Sequence, residues 1–370
     1  MREQLQLVQL VPKLSLLVDG VADYAATLGE ALQSGEQVPS WFLGGDPLDV
    51  QARAGWRECS SRIERRSADG LLAALEDIAG RQSGGKEMVV LLHYVNYGFA
   101  ARGCPFWLVS GLGRWKRRNP RARLITMFHE LYAFGPPWRS SFWLSPAQRY
   151  LARRLWHMSD SAVTNVERYR RQLCRWLPAS EKKVSLMPVF SNVGEPGGPT
   201  AWSARPGRLV VYGRPGAANR AYGPLRDQLL QACERLQIEE IVDIGSRAAP
   251  PPARIGSIPV SSRGHLPSSG IGAVLGTAKA GFIDYPSDLL GKSTVFAAYA
   301  AHGLVPVVSW CRGEDEPGLA EGVNYWVPSP NNQRSLDFES IAAKASAWYS
   351  DHRLDIQVRE YARKLRGTVS

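Results

Sequence analysis

Short apolar runs of strand length alternate with runs of helical spacing along this chain, and the alternation occurs twice. The apolar runs lie at 5–10, 88–92, 124–128, 162–164 and 184–189, and then at 209–212, 241–244, 281–283 and 305–308. Runs with helical spacing lie between and after them, at 20–32, 146–156, 167–177, 224–236 and 338–366. Buried strands that alternate with helices are typical of parallel sheets with helices on both faces. The chain is therefore predicted to be an α/β protein.

A stretch rich in glycine and proline divides the two sets. Residues 194–207, GEPGGPTAWSARPG, have no apolar period and are typical of an interdomain linker. Since 370 residues exceed what one core usually holds, we predict a domain over 1–194, a linker over 195–207 and a second domain over 208–370. Each domain is Rossmann-sized, and the last helix is a candidate to cross back to the first. Ligands of such folds bind beyond the carboxyl ends of the strands, so we expect a cleft between the two domains.

The basic charge of the chain is concentrated in one segment. The formal net charge is +11, and residues 102–183 carry 17 Lys and Arg against four Asp and Glu. Tryptophans interleave with this run, among them Trp107, Trp115, Trp138, Trp143 and Trp156. Such a surface suits nucleotide phosphates, an anionic membrane surface or single-stranded nucleic acid, or else it is a solvated basic face over core tryptophans. No RNA-binding signature is present, so nucleic acid is not an expected partner.

The cysteines and the apolar runs indicate the cellular compartment in which the protein is expected. The five cysteines lie far apart without a C-x-x-C pair, which predicts a reducing compartment and no zinc site. The start of the chain has Gln and Lys among its apolar residues, so a signal peptide is not expected. The uncharged run 294–311 contains His302, Gly303 and Pro306, which favour a helix, a turn and a strand over a membrane span. We expect a cytoplasmic protein, with peripheral contact to the inner face of the membrane as a further possibility.

The segment 285–308, YPSDLLGKSTVFAAYAAHGLVPVV, predicts a loop, a helix, a tight turn and a buried strand. The loop ends at Thr294, where the helix opens, and Gly303 lies where a helix C-cap belongs. A helix N-terminus presents backbone N–H groups and partial positive charge, which favour phosphate. Lys292 adds a full charge, and Ser293 and Thr294 add hydroxyl donors. The segment therefore predicts a phosphate site at the edge of a parallel sheet.

Further candidate residues follow predicted strands in the first half. Asp19 and Gly20 precede the first helix, where Gly20 lets the backbone approach a ligand closely. The alternative is an ordinary turn capped by Asp19. His93 and His129 each end a strand, where a neutral ring can hydrogen-bond a sugar hydroxyl or act on a proton. The alternative for both is a hydrogen-bonded structural histidine.

The loop GRPGAANR follows the first strand of the second half. Its two arginines, Arg214 and Arg220, can fork onto phosphate oxygens, and its glycines permit a tight turn. The alternative is a solvated basic turn. We favour phosphate binding because this loop and the loop that ends at Thr294 occupy matching places after a strand.

Several familiar site patterns are absent from the sequence. The first glycine of a P-loop that ended at Gly291-Lys292-Ser293 would fall at Pro286, so the chain does not match an NTPase. There is no G-x-G-x-x-G fingerprint and no nucleophile elbow. An Asp-x-Asp pair is also missing, which argues against a nucleotide-sugar site built on a divalent metal. We therefore expect no metal and no cofactor apart from the substrate.

With these residues in order, the chain resembles the two-domain glycosyltransferases of the GT-B fold, family 4, over nearly its whole length. GVADYAATLGEAL looks like the glycine loop and first helix of that family, and SDSAVTNVERYRRQL looks like the strand and helix before its linker. The resemblance implies that His129, in FHELY, contacts the donor sugar. In YGRPGAANR it implies that Arg214 binds the donor diphosphate; the family's lysine falls at Asn219, with Arg220 as a substitute one place on.

One motif of that family is altered here. Its Glu-x7-Glu motif, whose glutamates contact the donor sugar and the nucleotide ribose, falls on Leu290 and Ala298. The resemblance implies a hexosyltransferase-type enzyme of polysaccharide biosynthesis, retaining and metal-independent. It would move a sugar from a nucleotide-diphosphate donor to a glycan or lipid-linked acceptor. Because both glutamates are missing, the alternative is a non-catalytic binding or scaffold protein of the same fold.

Overall fold

The computed structural model describes most of the chain. The described residues are 5–14, 20–48, 56, 58–81, 87–133, 135–178, 184–198, 200–213, 215–247, 250–329 and 335–367. The chain divides into two compact units: Met1–Met187 with Leu354–Ser370, and Pro188–Arg353. The second unit includes residues 188–207, which the sequence analysis divided between the first domain and the linker. The first unit includes the end of the chain.

A parallel sheet of seven strands forms the centre of the first unit. The strands are β1 (Gln6–Val11), β2 (Ser40–Gly44), β3 (Ser60–Arg62), β4 (Met88–Tyr94), β5 (Arg123–Phe128), β6 (Ser161–Thr164) and β7 (Val184–Leu186). They lie in the order β3-β2-β1-β4-β5-β6-β7. The strands β1 and β4 are buried along their whole length, which is typical of a sheet covered on both faces. The strand order reverses between these two, so ligands of this fold class bind at their carboxyl ends.

Within the described residues, six helices of the first unit precede β7. They are α1 (Gly20–Glu36), α2 (Ala68–Arg81), α3 (Asn96–Phe99), α4 (Phe106–Arg118), α5 (Ser140–Met158) and α6 (Glu167–Trp176). In α1 the apolar residues recur every three or four positions, so Leu28 and Leu32 share one buried face with Tyr24. The helix α5 begins six residues before Pro146, where the sequence analysis placed its start.

The second unit contains a smaller, mostly parallel sheet. Its strands are β8 (Arg208–Tyr212), β9 (Glu240–Ile244), β10 (Arg254–Ile255), β11 (Ile258–Ser262), β12 (Ala280–Pro286) and β13 (Val305–Trp310). They lie in the order β10-β11-β9-β8-β12-β13, and only the short β10 runs antiparallel to its neighbour among these strands. The helices are α7 (Pro215–Tyr222), α8 (Arg226–Arg235), α9 (Ser268–Leu275), α10 (Thr294–Ala301) and α11 (Phe338–Ser350).

The segment that predicted a loop, helix, turn and strand folds in that order. A 3-10 turn over Ser287–Lys292 leads into α10, and β13 follows. Gly303 has φ +68°, the left-handed conformation that ends a helix and that glycine adopts without a steric cost. The strand order of the second sheet reverses between β8 and β12, so α10 starts beside the ligand-binding edge of that sheet.

A tyrosine of α10 lies where β8 and β12 diverge. The Tyr299 hydroxyl accepts a hydrogen bond from the Tyr212 amide at 3.1 Å and lies 3.2 Å from the carbonyl oxygens of Val210 and Phe282. Its ring is fully buried against Gly281, where a Cβ atom would come within 2.5 Å of ring carbons. The sheet therefore opens at a polar contact to α10, which holds this helix at the switch point.

The last helix, α12 (Leu354–Leu365), packs on α1 in the first unit. The Tyr24 hydroxyl of α1 donates to Gln357 Oε1 and lies 3.2 Å from the Tyr361 hydroxyl. Both units are α/β with parallel-dominated sheets, so the predicted fold class is confirmed. Within the described part of the chain, every helix is either too short or too polar to cross a bilayer.

Candidate functional site

The first unit brings its two predicted histidines together at the carboxyl ends of β4 and β5. His93 is the sixth residue of β4, and His129 directly follows β5. Their rings stack with centroids 5.5 Å apart, and His93 Nδ1 lies 3.2 Å from His129 Nε2. Tyr24 of α1 packs edge-on against both rings. His93 is fully buried and His129 is 7% exposed, so the pair lies almost entirely out of water.

A chain of hydrogen bonds behind His93 sets the proton positions of both rings. Gln9 Nε2 donates to Ser40 Oγ at 2.9 Å, which leaves Gln9 Oε1 as the acceptor for His93 Nε2 at 2.8 Å. With its proton on Nε2, a neutral His93 accepts at Nδ1 from the Nε2–H of His129. Burial lowers the pKa of His93 to about 3, so the ring is neutral at physiological pH. The sequence analysis did not predict Gln9, because a polar residue inside a strand run gives no local signal of its partner.

The remaining predicted residues of the first unit are Asp19 and Gly20, at the start of α1 in the sequence. Gly20 is the first residue of that helix and is exposed to solvent. Asp19 lies outside the described residues, so its predicted role stays a prediction. The structure therefore places two predicted residues of this unit, His93 and His129, in a buried polar network and another, Gly20, at a solvent-facing helix start.

In the second unit, Lys292, Ser293 and Thr294 lie in sequence at the start of α10. Lys292 ends the 3-10 turn, and Ser293 is the N-cap whose Oγ accepts from the Phe296 amide at 3.1 Å. The Ser293 amide donates to the Leu290 carbonyl at 3.0 Å. The backbone N–H groups that can face a ligand at this helix start therefore begin at Thr294.

The loop after β8 lies beside this helix start. Gly213 has φ +140°, and a Cβ atom on it would lie 3.7 Å from Val295 Cγ2 in the first turn of α10. Arg214 lies outside the described residues. Arg220 is on α7, where its Nε donates to Asp284 Oδ2 at 2.6 Å, and Ser309 Oγ donates to the other oxygen of this carboxylate at 2.7 Å. The structure thus pairs Arg220 with a carboxylate that the sequence analysis did not single out.

A buried ion pair ties the loop after β8 to the end of β9. Arg247 Nη2 lies 2.9 Å from Asp243 Oδ2, and Arg247 Nη1 donates to the Gly213 carbonyl at 3.2 Å. The Tyr222 hydroxyl donates to the same carboxylate at 2.9 Å. Burial, and then the charge of Asp243, raise the pKa of Tyr222. The sequence signal for this cluster is an acid inside the apolar run 241–244 with an arginine four residues later.

The two positions that correspond to the family's glutamates are apolar and buried. Leu290 is 1% exposed and Ala298 is 0% exposed, and both lie in one core cluster with Tyr299. A carboxylate at either position would lose its hydration without a partner of opposite charge in this cluster. The 3-10 turn and α10 therefore each have a buried apolar side chain at the position where the resemblance implied an acid.

No protein-family model matches the sequence, and no curated protein matches it. Several solved structures are similar in fold to this chain, and the similarity covers nearly the whole length of both proteins. An α,α-trehalose-phosphate synthase (UDP-forming) from Burkholderia vietnamiensis has a TM-score of 0.59 at 13% identity, covering 100% of this chain and 99% of that chain. The lipopolysaccharide outer core galactosyltransferase WaaB has a TM-score of 0.57 at 9% identity, covering 98% and 100%. The pneumococcal O-GlcNAc transferase GtfA, in complex with UDP and GlcNAc, has a TM-score of 0.53 at 10% identity, covering 98% and 96%.

These likenesses, at such low identities, establish the fold. The chain has the GT-B fold, with two Rossmann-like domains in one polypeptide. This confirms the predicted GT-B fold. The fold by itself does not assign an activity, which depends on the residues at the two sheet edges described above.

Proposed function

We propose that the protein is a glycosyltransferase that moves a sugar from a nucleotide-diphosphate donor to a glycan or lipid-linked acceptor. One observation carries the proposal: Gly213 in the loop after β8 lies so near the first turn of α10 that a Cβ atom on it would be 3.7 Å from Val295 Cγ2, three residues after Lys292. Two strand-end elements that can each hold a phosphate thus meet at the switch point of the second sheet. Solved GT-B structures of the same overall fold include one that contains UDP, which supports a nucleotide diphosphate as the ligand.

At this edge the protein would stabilise the charge that develops on the leaving diphosphate. Lys292 would supply a full positive charge, and the amide of Thr294 would donate from the helix N-terminus. Arg214 and the Nη groups of Arg220 would add guanidinium donors. Each well-placed donor of this kind is worth about 3 kcal/mol of transition-state stabilisation. No step of this proposal uses a metal ion.

His129 would orient the donor sugar from the first unit. The hydrogen bond to His93 engages the Nε2–H of His129, and in a neutral ring the other nitrogen, Nδ1, is an acceptor that would suit a sugar hydroxyl. The retaining outcome rests on the resemblance to family 4.

The acceptor side would be the basic, aromatic part of the first unit. Trp138 and Trp143, beside the N-terminus of α5, are 84% and 72% exposed. Exposed tryptophans among arginines suit the interface of an anionic membrane. A lipid-linked acceptor would then be bound at the surface that carries it.

Calorimetric titration with UDP and GDP tests the donor site. We expect binding of one of them, weakened about tenfold in Lys292→Gln and in Arg220→Gln through loss of a charged donor. Lys344→Gln is the matched control, because Lys344 is exposed on α11 and loses the same charge. Failure of the protein to bind any nucleoside diphosphate would contradict the proposal.

A second candidate function is a non-catalytic binding module. The burial of Leu290 and Ala298 in an apolar cluster favours it, because no carboxylate can act from either position. Incubation with a panel of nucleotide sugars and detection of released nucleotide separates the two. Turnover supports the enzyme, whereas tight nucleotide binding without hydrolysis or transfer supports the module.

Liposome flotation tests the membrane surface. We expect the protein to float with vesicles that contain phosphatidylserine at low salt and to lose this binding in a Trp138→Ser, Trp143→Ser double variant. Trp310→Ser is a suitable control, since Trp310 is exposed on β13 in the second unit. Equal flotation of all three proteins would contradict a role for this surface.

A further inference from the structure

The first unit contains a cavity of about 420 Å³ that none of the residues discussed so far lines. It lies between the residues after β5, the middle of α5 and one face of α6. The lining residues are Leu131, Tyr132, Arg149, Arg168, Tyr169, Arg171, Gln172 and Arg175. Four of these are arginines, and among the described residues that line it none is acidic. Its volume falls within the range of small-molecule binding sites.

The arginines of α6 are arranged along the cavity by the helix period. Arg168, Arg171 and Arg175 follow the spacing i, i+3 and i+7, which puts them on one face over two turns, or about 10 Å of helix. Arg168 is half-buried, whereas Arg171 and Arg175 are exposed. The cavity thus has a row of guanidinium groups that runs from a partly enclosed end to an open end.

Aromatic and polar contacts link three other residues that line the cavity, Arg149, Tyr132 and Gln172. The guanidinium of Arg149 lies 4.5 Å from the centre of the Tyr132 ring, and the Tyr132 hydroxyl donates to Gln172 Oε1 at 3.3 Å. Stacking on an aromatic face limits the motion of a guanidinium and leaves its edge N–H groups pointing along the ring plane. These contacts hold Arg149 of α5 in a defined place in the lining of the cavity, to which α6 contributes the other three arginines.

One acidic residue, Glu167, lies at the start of α6 and pairs with arginines of the same helix. Glu167 accepts hydrogen bonds from Arg170, which does not line the cavity, and from Arg171. Although burial opposes it, the hydrogen bonds from these two arginines lower the pKa of Glu167, so it stays ionised. The described lining of the cavity therefore holds four arginines and no acidic side chain, which favours an anion as its ligand.

We infer that this cavity is an anion site that binds a phosphate or diphosphate group. Guanidinium groups match phosphate oxygens in pairs, and a row about 10 Å long with a fourth arginine in the same lining suits two linked phosphates better than a single carboxylate. The residues that line it all belong to the first unit, whereas the phosphate-binding elements proposed at α10 belong to the second. It does not depend on glycosyl transfer.

Arginine footprinting with phenylglyoxal, read by mass spectrometry, tests the site residue by residue. Inorganic pyrophosphate should reduce the modification of Arg149, Arg168, Arg171 and Arg175 several-fold and leave Arg117 of α4 unchanged. In calorimetry the Arg168→Gln and Arg149→Gln variants should each weaken this pyrophosphate site about tenfold. Arg117→Gln, with the same loss of charge, should bind as the unmodified protein does. Equal protection of all arginines, or unchanged affinity in both cavity variants, would overturn the proposal.

A conservative variant and two vesicle preparations sharpen the assignment. Arg168→Lys keeps the charge but loses the fork, so its affinity should lie between those of the unmodified protein and Arg168→Gln. If the phosphate belongs to a lipid, Arg168→Gln should reduce binding to phosphatidylcholine vesicles with phosphatidic acid but not to those with phosphatidylserine. If it belongs to a soluble compound, the variant should lose pyrophosphate protection and keep both vesicle affinities.

The donor-site proposal and this one fail separately. Titration with UDP reports on Lys292, and the cavity variants should leave that titration unchanged. Pyrophosphate protection of the four cavity arginines in a protein that binds no nucleoside diphosphate would refute the proposed function and support the anion site. Binding of UDP without protection of the four cavity arginines would support the proposed function and refute the anion site.

Discussion

His93 Nδ1 accepts a hydrogen bond from His129 Nε2 across 3.2 Å, in a pair of rings that are almost completely buried. Gln9 determines this direction, because its oxygen accepts from the other nitrogen of His93. Ser40 lies three hydrogen bonds away from His129 along this network. It therefore helps to orient the histidine that is proposed to meet the donor sugar. Such a network holds its last member in one tautomer without charge, which suits hydrogen bonding to a neutral hydroxyl.

The first prediction concerns the pH dependence of stability. The pKa of His93 is about 3 in the folded protein and about 6.5 when unfolded, so the unfolded chain binds a proton that the folded chain excludes. Stability due to this group is present above pH 6.5 and falls by about 1.4 kcal/mol per pH unit as pH drops towards 3. When the pH is lowered from 7 to 5, the free energy of unfolding of His93→Gln should therefore fall by about 2 kcal/mol less than that of the unmodified protein.

Urea titrations at the two pH values measure this difference. His157→Gln is the matched control, because His157 is exposed on α5 and outside the network. Parallel pH profiles for His93→Gln and the unmodified protein would contradict the assignment. Nitrogen NMR of labelled histidine adds a direct check, since His93 should carry its proton on Nε2 at neutral pH.

The second prediction concerns the attachment of α12 to the first unit. Tyr361 is fully buried and meets Tyr24 of α1, so Tyr361→Ala should destabilise this unit by about 3–5 kcal/mol. Tyr361→Phe keeps the ring and should cost only about 1 kcal/mol. Hydrogen exchange with mass spectrometry should show faster exchange in peptides of β1 and α1 and unchanged exchange in peptides of β8 and β9. A uniform increase across both units would be inconsistent with the division of the chain.

The third prediction concerns the switch point of the second sheet. Gly281→Ala should destabilise the second unit by about 1–3 kcal/mol or more, because the new Cβ atom overlaps the Tyr299 ring. Thermal unfolding monitored by calorimetry measures it. Gly216→Ala is the control, since a Cβ atom on this α7 residue meets nothing within 4 Å and should be neutral or slightly stabilising. A Gly281→Ala protein as stable as the control would show that Tyr299 can move without cost.

The fourth prediction concerns the buried ion pair of the second unit. Arg247→Met should destabilise this unit by about 3–5 kcal/mol, because it leaves the fully buried Asp243 without its cation. Asp243→Asn in the same chain should recover part of the loss, as expected for coupled residues. In the exposed pair Arg359–Asp355, Arg359→Met should have little effect. Equal effects of the two single arginine variants in urea titrations would contradict this reading of the buried pair.

Local patterns predicted much of the fold. The strand predicted over 124–128 is β5, Arg123–Phe128, and the helix predicted over 167–177 is α6, Glu167–Trp176. Both depend on side-chain periodicity within a few residues. The edge strand β3, Ser60–Arg62, was not predicted, because its three residues are polar and only partly buried and therefore carry no apolar signal.

The same division applies to the candidate site. The order of residues at 292–294 and the glycine at 303 already specify a capped helix start and a left-handed helix end, because caps involve residues three or four positions apart. The partners of the predicted residues could not be found in this way. Arg220 meets Asp284, 64 positions away, and the strand order that brings them together is not encoded in any local period.

Amino-acid order was therefore sufficient for the α/β class, for the repetition of the strand–helix pattern and for a capped helix start at Thr294, since all three follow from short-range periodicity and backbone capping. The tertiary structure decided which side chains meet. It joined Gln9 to His93 across 84 positions and His93 to His129 across 36. It also gathered arginines from α5 and α6 around one cavity. These contacts depend on the pairing of strands and the packing of helices, which long-range burial selects and local sequence does not specify.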